Sequence, residues 1–288
     1  MNKIINTIVC AAICAGSLSS MPVFAHEYGL QLYSLRHQME EDMPLAFSQI
    51  SDWGLHAVEG GSMLNGMPLD EYKAELAKNQ LKIVSVDTNY AELRDNPIAA
   101  VYKAKYFSAD YATFYWIPHG ENRPFSIEDA KEAVAVLNSA GKLLEENGIT
   151  LQYHAHGYEF LPYQDGTVFD YMVQHTKHAK FQMDVYWIKH AGVEPVELLQ
   201  KYPGIFTSLH LKDREKGTPN SSTGHADVET NVVLGAGDVG IASAVKEAKL
   251  QGIHYMFLED ESSRVMEQIP QSIDYLKALE AENKGVSN

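Results

Sequence analysis

From residue 28 onward, short apolar or alternating runs are each followed by a longer stretch of helical periodicity. The short runs are predicted as strands over Tyr28–Ser34, Leu55–Glu59, Lys82–Asp87, Tyr111–Ile117, Ile149–His156, Phe181–Val185, Phe206–Leu211 and Tyr255–Glu259. Between them the spacing predicts helices over Asp42–Asp52, Leu69–Asn79, Pro97–Ser108, Ser126–Asn147, Val168–His178, Pro195–Tyr202 and Val239–Gln251, with Gln268–Ala281 closing the chain. Local punctuation agrees. Ser126 stands ahead of Glu128 and Asp129 as a helix start requires, and Gly148 and Gly252 follow helical stretches as stops. Strand–helix alternation implies parallel strands joined by right-handed crossovers. An open doubly wound sheet would need fewer strands and a glycine-rich first turn, which the sequence lacks. The expected architecture is a single-domain α/β (β/α)8 TIM barrel.

Alternation within the strands assigns faces. The outward face packs on helices and is apolar, and the inward face lines the interior and, at the C-terminal end, an active site. In the fifth strand Leu151, Tyr153 and Ala155 fit the outward face, leaving Gln152, His154 and His156 inside. The same test leaves Gln182 and Asp184 inside on the sixth strand, Ser208, His210 and Lys212 on the seventh, and Tyr255, Phe257 and Glu259 on the eighth. Gln31, Tyr33, Glu59 and Asp87 are inward on the first three.

Four consecutive strands therefore each deliver a ligand-type side chain at an inward C-terminal end: His154, Asp184, His210 and Glu259. Two carboxylates buried together without a cation are unfavourable, and a divalent ion resolves the conflict. A lone histidine at a strand end is more often a hydrogen-bonded structural residue than a ligand. The coincidence of four strands reverses that balance for the set. Nitrogen and oxygen donors suit manganese, zinc, cobalt or iron better than calcium. His156 and Glu159 read either as residues orienting a ligand or as a salt bridge across a loop. Lys212 reads as a substrate contact or as a partner of Asp213 or Glu215. Tyr33, Tyr115, Trp116, Tyr186 and Trp187 read as a sugar-pocket lining or as core.

Composition narrows the class. The 288 residues are 45% hydrophobic, which excludes general disorder. A formal charge of −15 argues against a nucleic-acid partner, because phosphates reward clustered Lys and Arg. Residues 1–25 read as a secretory leader: Lys3, an apolar Ile4–Leu18 and a Val23-Phe24-Ala25 cleavage site. The alternative is an N-terminal anchor. Residues 26–288 then form the domain, close to the roughly 250 residues of such a barrel, with no membrane span after the leader. The protein is expected to be exported, in the periplasm. Both cysteines, Cys10 and Cys14, fall in the leader, so a metal must use histidine and carboxylates.

The segments Gly29-Leu-Gln-Leu-Tyr-Ser-Leu-Arg36, Ala57-Val-Glu-Gly-Gly61, Tyr153-His-Ala-His156 with Tyr158-Glu-Phe160, Gln182-Met-Asp-Val-Tyr-Trp187, Leu209-His-Leu-Lys-Asp213 and Leu258-Glu259 resemble the xylose-isomerase-like barrel superfamily. More narrowly they resemble the bacterial sugar phosphate isomerase/epimerase group. The resemblance implies a divalent metal at the barrel mouth, with Asp184, His210 and Glu259 at the usual ligand positions. Ketose 3-epimerases of the superfamily carry a glutamate on strand five where this chain has His154. Many relatives carry a histidine in the turn where this chain reads Asp87-Thr-Asn89. A long polar loop, Asp213–Thr230, is placed to close over substrate.

Such a site polarises a sugar carbonyl and stabilises an enediolate formed by removing the adjacent proton. The acid/base candidates are Glu59, His156 and Glu259, with Lys212 neutralising developing charge. The expected enzyme is a metal-dependent carbohydrate isomerase or epimerase. Export and the lack of a glycine-rich phosphate cradle favour a neutral sugar. Two alternatives stand beside it: cleavage of 3-keto-glycosides by elimination, and a non-catalytic periplasmic sugar-binding barrel. An endonuclease acting at abasic DNA sites shares the barrel, but charge and leader oppose it.

Overall fold

The computed structural model describes residues 26–120 and 123–285; the predicted leader lies outside the described residues. Eight parallel strands close into a ring: β1 (Glu27–Gln31), β2 (Ala57–Gly60), β3 (Lys82–Thr88), β4 (Tyr111–Phe114), β5 (Thr150–His154), β6 (Lys180–Asp184), β7 (Phe206–Leu211) and β8 (Tyr255–Leu258). Closure comes from β1 pairing with β8, Glu27 opposite Tyr255. Helices fill the crossovers, as the periodicity predicts. No described helix is long and apolar enough to cross a membrane.

The outward residues Leu30, Val58, Val86, Leu151, Met183, Leu209 and Leu258 are buried against the helices in one continuous core. Inside, the N-terminal end of the ring is plugged by Ala57, Val84, Tyr255 and Phe257. Gly29 belongs to this plug by necessity. A Cβ there would lie 2.6 Å from the Ala57 carbonyl oxygen and 2.8 Å from the Phe257 ring. The middle layer is polar. Ser85 shares a hydrogen bond with Thr113 (2.7 Å), Gln152 donates to Thr113 (2.8 Å), and Gln182 donates to Ser208 (2.9 Å).

Several boundaries differ from the sequence expectation. The first strand ends at Gln31, whose side chain accepts from the Tyr33 amide and turns the chain into a 3-10 segment, Leu32–Leu35. The first helix spans Arg36–Asp52 and breaks at Asp42 (φ −154°), whose carboxylate accepts from the Leu45 amide. The predicted start at Asp42 is therefore the start of the second half. The helix from Ile127 to Glu146 opens on a capping box between Ser126 and Asp129, as its sequence requires. Short helices over Tyr90–Asp95 and Val185–His190 were not anticipated.

Candidate metal centre and sugar cavity

The inward ends of β5, β6 and β7 bring His154, Asp184 and His210 together, with donor atoms all within 4.8 Å of one another and every residue buried. Hydrogen bonds fix how each of the three presents its donor atoms. His154 Nδ1 lies 2.9 Å from Gln182 Oε1, so the ring donates there and its Nε2, 3.7 Å from Asp184 Oδ2, faces inward. Asp184 Oδ1 accepts from the Tyr186 and Trp187 amides (2.7 and 3.1 Å), capping the Val185–His190 helix. Its Oδ2 is buried with no hydrogen-bond partner. His210 Nε2 meets Glu59 Oε1 at 2.5 Å, and its Nδ1, 3.9 Å from Asp184 Oδ2, is shared with a second carboxylate, Glu259.

Glu259, the fourth predicted ligand, is hydrogen-bonded to His210 Nδ1 at 2.6 Å and lies 3.7 Å from Lys212 Nζ. The centre is strongly coupled electrostatically. Burial opposes charge on His210, but Glu59 and Glu259 flank the ring and push its pKa up to about 10. Burial pushes the Asp184 carboxyl up to about 7, with Glu259 adding like-charge repulsion. Burial also works against the Glu259 carboxylate, yet Lys212 and His210 outweigh it and hold its pKa well below the usual range. An orphaned carboxylate oxygen between two oriented imidazoles is a donor set that a divalent ion fits.

Glu59, grouped by the sequence with the acid/base candidates, lies beneath the centre and away from the cavity. It is fully buried, and four donors fill its lone pairs: Gln31 (3.0 Å), His210 (2.5 Å), Thr113 (3.2 Å) and Gln182 (2.8 Å). Lys212 pairs with Glu261 and Glu259, and its ammonium sits 5.1 Å from the Tyr186 ring and 5.5 Å from the Trp187 ring. Asp213 is occupied elsewhere, accepting from the amides of Arg214, Gly235, Gly237 and Val239. Glu159 makes no salt bridge to the His156 ring. It accepts from the Tyr153 hydroxyl and the His156 amide. His156 Nδ1 is buried without a partner.

Above the centre opens a cavity of about 620 Å³, lined by His154, His156, His210 and Glu259 together with Tyr33, Tyr115, Trp116, Trp187, Asp87 and Glu261. Tyr186 of the predicted aromatic set is fully buried behind this wall. The Asp213–Thr230 loop is seated over the opening and contributes Gly224, His225, Ala226 and Val228. Gly224 (φ +74°) presses so closely on Tyr158 and Trp116 that a Cβ would approach within 2.7 and 3.0 Å. Farther along, the Ser221 amide donates to the His190 carbonyl (2.7 Å), and Glu229 accepts from Ser263 and Arg264. Glu261 and His225 carry no sequence motif, whereas Gln182 and Asp87 are marked by inward alternation, Gln182 also by the segment Gln182–Trp187 and Asp87 by the turn Asp87-Thr-Asn89.

Residues 47–279 match a family model described as xylose isomerase-like TIM barrel. Among solved structures, a sugar phosphate isomerase/epimerase from Parabacteroides distasonis ATCC 8503 superposes with TM-score 0.70 at 22% identity, covering 88% of this chain and 98% of that one. A probable 3-DHS dehydratase of petrobactin synthesis from Bacillus anthracis gives TM-score 0.69 at 16% identity over 87% and 98%. An IolI protein with a bound zinc atom gives 0.65 at 14% over 89% and 97%. No curated protein matches.

Proposed function

The chain belongs to the xylose isomerase-like TIM barrel family, and from that premise we propose that it is a divalent-metal-dependent enzyme that isomerises or epimerises a neutral sugar or keto-sugar. The reaction class is proton abstraction next to a carbonyl, through an enediolate. One observation carries the reading: buried donors from three successive strands converge within 4.8 Å, with Asp184 Oδ2 lacking any other partner. His154 Nε2, Asp184 Oδ2 and His210 Nδ1 would hold the ion, with Glu259 beside them. Manganese, zinc, cobalt or iron suit such donors. When bound, the ion polarises a carbonyl oxygen and stabilises negative charge developing beside it.

The chain's own residues supply the proton chemistry. Burial lowers the His156 pKa to about 4, so the ring is neutral at physiological pH, and its Nδ1 has no protein partner. It is therefore open to a substrate hydroxyl as a hydrogen-bond acceptor, and is a candidate general base, though a weak one at that pKa. Glu259, held ionised, is the second candidate. Lys212 stays protonated and lends positive potential at the cavity wall, while Glu59 orients His210. Tyr33, Trp116 and Trp187 offer apolar faces to a sugar ring.

Among the described residues the cavity lining includes no arginine or lysine; the nearby Lys212 is committed to Glu259 and Glu261, and Arg36 at the rim stacks on Tyr33 and donates to the Glu261 carbonyl. This favours an unphosphorylated substrate over the sugar phosphates named for some structural neighbours. Export to the periplasm, read from residues 1–25, points the same way. The test is solvent exchange: manganese-loaded protein in D2O is given free ketoses and their phosphates. The expected result is deuterium at the carbon next to the carbonyl of an unphosphorylated ketose, followed by NMR. Exchange with no ketose overturns the reading.

A second reading, cleavage of a 3-keto-glycoside by elimination, is favoured by His154 standing where a carboxylate would complete an acid/base pair. Release of aglycone from 3-keto-glucosides, without exchange on free ketoses, would select it. Binding without either turnover would select a non-catalytic sugar-binding barrel.

A further inference from the structure

Asp87 is the penultimate residue of β3, and in the ring order β3 stands diametrically opposite β7, the strand of His210. A one-residue slip in the β2–β3 register sets its direction. Val58 pairs with Ile83, but Glu59 pairs with Ser85, so Val84 is left unpaired. Val84 and Ser85 both point inward, Val86 joins the outer core, and Asp87 lines the cavity. Bulges next to active sites commonly re-aim a side chain in this way.

The carboxylate so placed is incompletely satisfied. Asp87 Oδ1 is buried with no hydrogen-bond partner. Lys103 is close but donates to the Asp87 backbone carbonyl (2.8 Å) and the Ser62 hydroxyl (3.0 Å). Burial holds the carboxyl above its ordinary range, with Lys103 and hydrogen bonds from the Ser62 hydroxyl and the Asp87 amide opposing, so that Oδ1 alone stays without a donor. A buried acceptor without a donor is costly, and a protein that keeps one at a cavity wall needs a reason.

We propose that Asp87 is a substrate-binding carboxylate that accepts a hydroxyl of a neutral polyhydroxylated ligand on the wall facing the His154–Asp184–His210 centre. The ligand would span the mouth, one end at the centre and the other on Asp87. This rests on the neutral-sugar reading above. A structural role is the competitor, because the Tyr72 hydroxyl is also buried without a partner and feels the Asp87 charge.

Manganese-loaded wild type, Asp87→Asn and Tyr72→Phe are titrated with D-fructose, D-tagatose and D-sorbose, read by the fluorescence of Trp116 and Trp187 and by calorimetry. Asp87→Asn is expected to raise the ketose Kd at least tenfold, leave manganese affinity within twofold, and leave Tm unchanged or higher. Tyr72→Phe should not move Kd. If Asp87→Asn fails to fold, Asp87→Glu reads the same loss, because its longer carboxylate crowds the hydroxyl site. Unchanged ketose binding by the Asp87 variant overturns the proposal while leaving the neutral-sugar reading intact. A lowered Tm in both variants with unchanged Kd assigns Asp87 to structure and overturns it too. Wild type that holds manganese but no ketose overturns both.

Discussion

His154 and Gln182 stand opposite one another across β5 and β6, and His154 Nδ1 donates a hydrogen bond to the Gln182 side-chain Oε1 at 2.9 Å. That bond fixes the tautomer, so that Nε2 offers its lone pair toward Asp184. Replacing Gln182 by Ala removes the lock. It also frees Glu59 Oε2 from one donor. The expected outcome is a 10–100-fold loss of divalent-metal affinity, about what such supporting residues cost elsewhere. Calorimetric titration with zinc and manganese checks it. Unchanged affinity would show that His154 is held by its packing alone.

Glu59 and His210 define the second prediction. With four donors on its carboxylate, Glu59 orients the ring and has no path to a substrate in the cavity. Glu59→Gln should therefore weaken the metal by about 10–100-fold, and any loss of turnover should be recovered at saturating metal. A loss of turnover that saturating metal does not recover would instead assign Glu59 a part in proton transfer.

Alternation of period two made the inward residues His154, Asp184 and His210 legible in the sequence, because a strand buried on its outer face leaves no other place for them. What alternation could not show is where the period slips or what lies across a gap. The bulge at Val84 is invisible in Ile83-Val84-Ser85, since three small or apolar residues suit either face. Lys212 pairs with Glu261, which follows the next strand, in preference to its chain neighbours Asp213 and Glu215. Asp213 is taken by backbone amides of a loop that no motif foretold. The long loop was legible as a cover; its seating on Trp116 and Tyr158 was not.

A metal held at this centre would link its binding to folding. An ion that binds only the folded centre stabilises it by about 2.7 kcal/mol at a free concentration of 100 Kd. Addition of zinc or manganese to chelator-treated protein should therefore raise Tm by several degrees. His154→Ala and Asp184→Ala should each abolish that rise. A rise retained in both variants would place the ion elsewhere.

Gly224 tests the roof. Its φ of +74° is in the left-handed region, and any Cβ would meet Tyr158 and Trp116. Gly224→Ala should cost about 1–3 kcal/mol for the strained backbone or else lift the loop away from Trp116. In the second case His225 moves with it and ligand binding weakens. Denaturant unfolding and the fluorescence of Trp116 separate the two, and an unaltered Tm with unaltered ligand Kd would deny the roof any role.

Glu159 supplies a pH dependence independent of the metal. Burial raises its carboxyl to about 7, against hydrogen bonds from Tyr153 and the His156 amide that favour the ionised form. In the unfolded chain the same group titrates at 4.5. Below that value both states are protonated and burial carries no ionisation penalty. Between 4.5 and 7 the unfolded state releases its proton first, so stability falls as pH rises, and above 7 the loss is complete. A shift of this size corresponds to roughly 3 kcal/mol. Glu159→Gln keeps an acceptor for Tyr153 and cannot ionise. Relative to wild type it should gain stability between pH 5 and pH 8 by up to that amount, measured by urea unfolding at both values. Parallel wild-type and variant pH profiles would mean that the wild-type carboxylate ionises in place without cost.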